Sequence, residues 1–243
     1  MHQFYVAYPH IVKDKIIIQQ RSLLHHLLNV LRLKKEETLN IFDSEANLYI
    51  CKIKDLSLNG ITLEIRKKSK AKNLPIYLVV ACAIPKAKIM DSIVDKLTQL
   101  GVSKIIPLVT QRTVVKWNQD KQDRNLERWR RISINSCQQS KRISLPIIER
   151  VMNFEDIFKL NEDFSLKLIF TVSEEAESLK NILEKNPAKK IIILIGPEGD
   201  FSSQEINLAK TYGFIPASLG TLILRVETAV VSAVSFIKLY AEF

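Results

Sequence analysis

Glycine is scarce: six in 243 residues, with only eight prolines beside them. Together they make up about half their usual share, which excludes collagen, low-complexity sequence and a mostly disordered chain. Histidine is scarcer and unevenly placed. All four (His2, His10, His25, His26) lie in the first 26 residues. Most of the chain therefore has no imidazole for a metal site, a Ser-His-Asp triad or a general base. The three cysteines (Cys51, Cys82, Cys137) are far apart and form no CxxC. They predict reduced thiols in a cytoplasmic protein with no structural zinc. Long apolar runs are missing too. Ile191–Ile195 and Ile76–Ala83 fall far short of the ~18 residues of a membrane span, and MHQFYVAYPH lacks a signal-peptide pattern. No membrane association is expected. No GxxxxGK[ST] and no GxGxxG opening a βαβ unit is present, so a nucleotide-like cofactor must be held in another way.

Hydrophobic residues make up 47 % of the chain, enough for a large core in one or two domains. The net charge of +10 is uneven. Residues 1–72 carry 13 basic and 7 acidic groups, and residues 116–142 carry 8 and 3, whereas 143–243 carry 10 and 14. A basic front and a mildly acidic back suit a polyanion docking on the first part. Scattered lysines on solvated faces give the same sums. Residues 116–142 are more pointed: Arg128, Arg130, Arg131, Lys141 and Arg142 lie near Trp117 and Trp129. Arginine pairs with phosphate bidentately, and an indole offers bases a stacking surface.

The first 67 residues read mostly as short strands: QFYVAY, KIIIQQ, TLNIFD, NLYICKIKDL and GITLEIRKK. One helix interrupts them, LLHHLLNVLR, with Ser22 as its expected cap. A small β-barrel with one helix fits. KKSKAKNLP (67–75) is polar and ends in proline, a candidate linker, so the domains are expected at 1–72 and 73–243. From Pro75 strands and helices alternate: PIYLVVAC, the helix ending at Gly101, VSKIIPLV, NLERWRRISINSCQQS, SLKLIFTV, the helix around 176–186, KIIILI, SSQEINLAKTYG, FIPASL and VETAVVSAVSFIKLYAE. This predicts an α/β domain with a parallel sheet and helices on both sides.

Four of the six glycines (Gly196, Gly199, Gly213, Gly220) lie in the last 48 residues. In IIILIGPEGDFSSQE an apolar strand runs into GPEG, and Ser202 with Glu205 forms a capping box for the next helix. Ligands of parallel α/β sheets bind beyond the carboxyl ends of strands, where Gly196 and Gly199 allow a close backbone approach. By itself GPEG reads rather as an ordinary βα turn. A second segment, FIPASLGTLILRVETAVVSAV, repeats the arrangement: strand, glycine loop, then Arg225 and Glu227 at the start of an apolar helix. Arg225 sits between Leu224 and Val226, which predicts a half-buried guanidinium with an anionic partner. That partner is Glu227 or Glu198 in a structural ion pair, or a ligand.

The pair GPEGDFS and LGTLILRVETA, preceded by HLLNVLRLKKEE, KIMDSIVDKLTQLGVSKIIPL and SINSCQQSKRISLP, resembles the bacterial small-subunit ribosomal RNA uridine N3-methyltransferases, members of the SPOUT superfamily. The resemblance covers nearly the whole chain in order. It implies a PUA-like RNA-binding barrel followed by an α/β methyltransferase domain with a deep trefoil knot, acting as a homodimer. It also implies a cofactor, S-adenosylmethionine, cradled by Leu194, Gly196, Pro197, Glu198, Gly199, Leu219, Gly220, Ile223 and Leu224. The partner it implies is 16S ribosomal RNA within the 30S subunit. The sequence departs from the family pattern at Gln3, at Gln99 and Gln138 where acidic residues are usual, at Asp200 in place of a glycine, and at Leu222 in place of an arginine.

Methylation at uridine N3 removes a proton and spreads charge onto the ring oxygens, so the site needs an oxyanion donor and a proton acceptor. Arg225 is the candidate donor, or a phosphate anchor; Glu198 and Glu227 are the candidate acceptors. A methyl transfer of this type requires no metal. Arg32, Arg112, Arg128, Arg131, Lys141 and Arg142 are the candidate RNA contacts. The alternative is a non-catalytic RNA-binding protein that keeps the fold, a reading for which Gln99, Gln138 and Asp200 speak.

Overall fold

In a computed structural model, the structure describes residues 1–57, 59–71, 74–86, 89–115 and 117–242. The chain divides into two compact units, 1–73 with 137–145, and 74–136 with 146–243. The boundary expected between 72 and 73 lies outside the described residues.

The first unit holds β1 (His2–Tyr5), β2 (His10–Val12), β3 (Lys15–Ile18), α1 (Arg21–His25) running into a π-helical turn (His26–Val30), β4 (Thr38–Phe42), β5 (Asn47–Ser57) and β6 (Gly60–Lys70). The sheet order is β1-β4-β5-β6-β3-β2. Only β1 and β4 run parallel. Strict alternation along β5 buries Asn47, Tyr49, Cys51 and Ile53; the last three form one core with Phe4, Ile16, Leu27, Leu39, Ile41, Ile61 and Leu63. This is the period-two signature of a sheet with one wet face. The expected linker begins too early, because residues 67–70 continue β6 opposite Asn47–Ile50. Lysines there stay on the ladder by keeping their ammonium groups in water, and Lys68 lies over the Tyr49 ring at 5.4 Å. Ser22 is not the helix cap: α1 begins one residue earlier and Gln20 precedes it without a side-chain cap.

A buried carboxylate pins the turn between β4 and β5. Asp43 accepts hydrogen bonds from the Glu45 and Asn47 amides (3.0 and 2.9 Å), from the Asn47 side chain (2.8 Å) and from the Tyr49 hydroxyl (3.0 Å). Burial works against its ionisation, but the four donors outweigh it and hold the carboxyl below its usual range. The Tyr49 hydroxyl is pushed up to about 12 by its own burial and by Asp43. A carboxyl depressed in the folded state stabilises above the unfolded value and loses that contribution as pH falls through the folded one. Asp43→Ala is therefore expected to cost roughly 2 kcal/mol or more at pH 7, and the difference from the parent should shrink below pH 4. Urea unfolding at both pH values checks this; a pH-independent difference would refute the ionised role.

The second unit contains β7 (Tyr77–Ala83), α2 (Ile89–Gln99), β8 (Lys104–Val109), α3 (Gln119–Ser140, whose last residues from 137 belong to the first unit), β9 (Ile147–Ile148) and β10 (Met152–Asn153). A 3₁₀ turn (Phe154–Lys159) leads to β11 (Leu166–Phe170), β12 (Glu177–Ser178), α4 (Leu179–Lys185), β13 (Lys190–Ile195), α5 (Ser203–Thr211), β14 (Ile215–Ser218) and α6 (Val226–Glu242). All strand pairings are parallel, in the order β10-β8-β7-β13-β11-β14-β12 with β9 also on β8. Both faces of the sheet are covered. Leu78, Val80, Ile191 and Ile193 face a core shared with α2, α3, α4 and α6; Val79, Ala81, Ile192 and Leu194 face one shared with the 3₁₀ turn and α5. This explains why KIIILI and YLVVACA are unbroken apolar runs.

Candidate functional site

Three neighbouring strands, β13, β11 and β14, end side by side, and a cavity opens beyond their carboxyl ends. Its walls are Phe170–Val172 after β11, Ile195–Asp200 after β13, Ala217–Gly220 and Leu222–Leu224 after β14, and Val226 and Ala229 on α6. The walls are mostly apolar, with Thr171, Glu198, Asp200 and Ser218 among the lining residues. That make-up suits an amphipathic ligand with a flat apolar part and polar edges.

Of the nine residues expected to hold a cofactor, Gly196, Pro197, Glu198, Gly199, Leu219, Gly220, Ile223 and Leu224 line this cavity. Leu194 does not. It is fully buried on the opposite face of the sheet, and Ile195 reaches the cavity instead. Alternation along β13 dictates the swap. The glycines serve different purposes. Gly220 has φ +128° with no atom near a would-be Cβ, so its backbone conformation demands glycine. Gly196 has an ordinary φ, but a Cβ there would lie 3.1–3.2 Å from the Phe201 ring and main-chain nitrogen.

The loop is braced at several points. The Asp200 amide donates to Pro197 O at 2.9 Å, closing the GPEGD turn. Ser202 and Glu205 form the expected capping box, and the second oxygen of the buried Glu205 accepts from the Gln111 amide at 2.8 Å. Arg112, a candidate RNA contact, is exposed and braces the loop. Its Nη1 donates to Gly199 O at 2.6 Å and reaches Phe201 O at 3.4 Å, so its guanidinium holds the loop.

Arg225 is exposed, not half-buried. The expected ion pair with Glu227 or Glu198 does not form, and the guanidinium makes no hydrogen bond or ion pair among the described residues. Arg225 flanks the cavity between Leu224 and Val226 without lining it. Glu198 is exposed and lines the cavity; its Oε1 accepts from the Lys86 amide at 3.1 Å. Glu227 is half-buried in the first turn of α6, where a carboxylate suits the helix dipole.

The Arg/Trp stretch resolves differently from its expectation. Trp129 is 1 % exposed in the core and donates from Nε1 to Asp91 Oδ1 at 3.2 Å, and Trp117 packs against it. Trp129 has no free face for a base. Arg128 is ion-paired to Asp91, and Arg131 Nε lies 3.4 Å from Glu127 O. In the first unit Lys141 Nζ donates to Met1 O at 2.7 Å. Arg142 is half-buried, and burial lowers its ordinarily very high pKa. Arg32 is exposed at φ +52° and has no side-chain partner among the described residues.

The thiols offer no nucleophile. Burial pushes Cys51 and Cys82 up to about 12 and Cys137 up to about 11, so none is a thiolate at neutral pH. Sequence reasoning missed Thr171, Val172 and the packing partner Phe201. The parallel-sheet rule could have found the first two, since SLKLIFTV ends beside KIIILI.

Residues 72–238 match the model of an RNA methyltransferase domain and residues 21–66 that of an RNA methyltransferase PUA domain. The chain belongs to the RNA methyltransferase family. It is 34 % identical to the ribosomal RNA small subunit methyltransferase E of Mesomycoplasma hyopneumoniae, covering 95 % of this chain and 96 % of that one. It is 32 % identical to the protein of the same name from Synechocystis, over 98 % of this chain and 80 % of the other. Its fold matches a crystal structure of the Neisseria gonorrhoeae ribosomal RNA small subunit methyltransferase E bound to S-adenosyl methionine. There the TM-score is 0.87 at 27 % identity, over 99 % and 98 % of the two chains. Among the described residues no helix is long and apolar enough to cross a membrane.

Proposed function

We propose that this methyltransferase uses S-adenosylmethionine to methylate N3 of a uridine in small-subunit (16S) ribosomal RNA. The observation that carries the reading is the cavity at the ends of β13, β11 and β14, walled by the GPEG and LGTLIL loops. The relatives' names and the cofactor-bound neighbour support it. Gly196, Pro197, Glu198, Gly199, Leu219, Gly220, Ile223 and Leu224 would hold the cofactor. When bound, S-adenosylmethionine supplies a methyl group activated on a sulfonium.

The chain's own residues do the rest. Arg225, exposed and unpaired among the described residues, donates to a uridine oxygen as charge builds there, or anchors a phosphate. Glu198 takes the N3 proton; its Oε1 is fixed by the Lys86 amide, which orients the carboxylate. Glu227, which does not line the cavity, is the second candidate. The target base must be splayed from its stack to reach such a site. The unit at the N-terminus, a PUA-like barrel, binds RNA, with Arg32, Lys141 and Arg142 as its contacts; Arg112, Arg128 and Arg131 are RNA contacts of the methyltransferase unit. The finer fold assignment is a trefoil knot within 73–243, and the setting is the 30S subunit in the cytoplasm.

Calorimetric titration with S-adenosylmethionine, together with mass spectrometry of ribosomal RNA from a deletion strain, tests the reading. Binding, and an N3-methyluridine that disappears with the gene, is expected. No binding would leave the non-catalytic RNA-binding protein as the reading.

A homodimer belongs to the same proposal. On α6, Val230, Ala233, Val234 and Ile237 are buried, but Phe236, Leu239 and Tyr240 are exposed, and Leu222 and Ile223 are 78 % and 85 % exposed. Phe236 and Tyr240 stack on each other at 6.4 Å between ring centroids, and exposed apolar side chains of this size are a mark of an interface. Light scattering at micromolar concentration with cofactor present should give twice 27.9 kDa; a monomer mass would refute the dimer.

A further inference from the structure

Asp200 occupies the left-handed region, φ +61°, which a non-glycine residue adopts at a cost. It therefore needs compensation from its surroundings, and its carboxylate supplies it. Oδ2 accepts from the Thr171 hydroxyl at 2.8 Å and from the Val172 amide at 3.1 Å, and Oδ1 accepts from the Phe201 amide at 2.7 Å. Thr171 is itself set in place: its buried hydroxyl also accepts from the Ser173 amide at 3.3 Å, and its own amide donates to Ala217 O at 3.2 Å. One carboxylate thus ties the loop after β13 to the loop after β11, and through Thr171 to β14. Those are the three strand ends that wall the cavity, and Thr171, Val172 and Asp200 all line it.

We infer that Asp200 and Thr171 form a latch that fixes the cofactor loop in its binding shape, making Asp200 a positioning residue for cofactor affinity. The inference rests on the proposed S-adenosylmethionine site. Without the latch the GPEGD turn keeps its Asp200 amide to Pro197 bond and the Arg112 contacts, so the loop stays in the fold. It loses its tie to the neighbouring strand end and the bond from the Phe201 amide within the loop itself. The effect should therefore appear in binding rather than in folding, because an unlatched loop must be ordered by the ligand itself.

Asp200→Gly separates the two roles. Glycine removes the latch but relieves the left-handed strain, so the melting temperature should hold or rise while the dissociation constant for S-adenosylmethionine increases by about tenfold. Thr171→Val should weaken binding in the same direction, and Thr171→Ser should restore it. The double variant Asp200→Gly/Thr171→Val should bind little worse than Asp200→Gly, since the bond from the Thr171 hydroxyl to Asp200 that both changes remove is already broken there. With substrate turnover, KM for the cofactor should rise while kcat stays near the parent value. Unchanged affinity in Asp200→Gly and in Thr171→Val would overturn the latch, as would additive losses in the double variant. If the parent protein itself fails to bind S-adenosylmethionine, it is the functional proposal that falls.

Discussion

Replacing Arg225 with alanine should lower turnover by roughly 10²-fold or more while leaving affinity for S-adenosylmethionine and the melting temperature close to the parent. The guanidinium is exposed and has no partner among the described residues, so its removal orphans nothing. It does not wall the cavity, so the cofactor site should survive. Arg225→Lys should recover only part of the rate, because a point charge cannot reproduce the planar fork of donors. Steady-state kinetics separates the two chemical roles. A donor to the developing oxyanion lowers kcat; a phosphate anchor raises KM for RNA with kcat retained. If Arg225→Ala unfolds the protein without a separate catalytic defect, Arg225 has no part in the chemistry.

The elements of the methyltransferase unit were legible because strands and helices there obey single periods. KIIILI is β13 and VETAVVSAVSFIKLYAE is α6 to the residue, since a strand buried on both faces and a helix packed on one side leave unambiguous patterns. Partner choice was not legible. Trp129 beside arginines looks like a stacking surface, yet it projects from the same side of α3 as Leu126 and is buried in the core. Arg112 looks like a phosphate ligand, and carbonyls of the cofactor loop, 87 residues away in sequence, hold it. The same distance problem hid the grouping of 137–145 with the first unit. There Gln3 Nε2 donates to Cys137 O and Arg142 O at 3.2 and 2.9 Å, and Gln138 Oε1 accepts from the Tyr5 amide at 3.0 Å.

Those contacts also change the meaning of the departures from the family pattern. Gln3, Gln138 and Asp200 are each engaged in two or more elements' hydrogen bonding or in the latch, and Gln99 donates to Asp95 at 3.0 Å on the surface of α2. They have structural occupations, so they do not by themselves speak for a protein that has lost its activity. Leu222 is the exception: it is exposed and packs against nothing that would explain the exchange.

The two glycines of GPEG should fail in different ways, although the motif treats them alike. Gly196→Val should cost about 1–3 kcal/mol of stability, the usual penalty for overpacking, and should abolish measurable binding of S-adenosylmethionine. A Cβ at 196 meets the Phe201 ring at 3.1 and 3.2 Å and its main-chain nitrogen at 3.2 Å. The ring is wedged in the core at 2 % exposure and the nitrogen is bonded to Asp200, so neither can yield without moving the loop. At Gly199 a Cβ meets only the Arg112 stem, at 3.5 and 3.9 Å, which is ordinary contact with a flexible, exposed side chain. Its φ lies outside the left-handed region; that conformation falls to Asp200. Gly199→Ala should therefore change stability by no more than about 0.5 kcal/mol and keep cofactor binding. Thermal unfolding and calorimetric titration of the two variants decide the matter. If Gly199→Ala lost as much affinity as Gly196→Val, close approach of the ligand to Gly199, rather than packing of Phe201 on Gly196, would be what the motif protects.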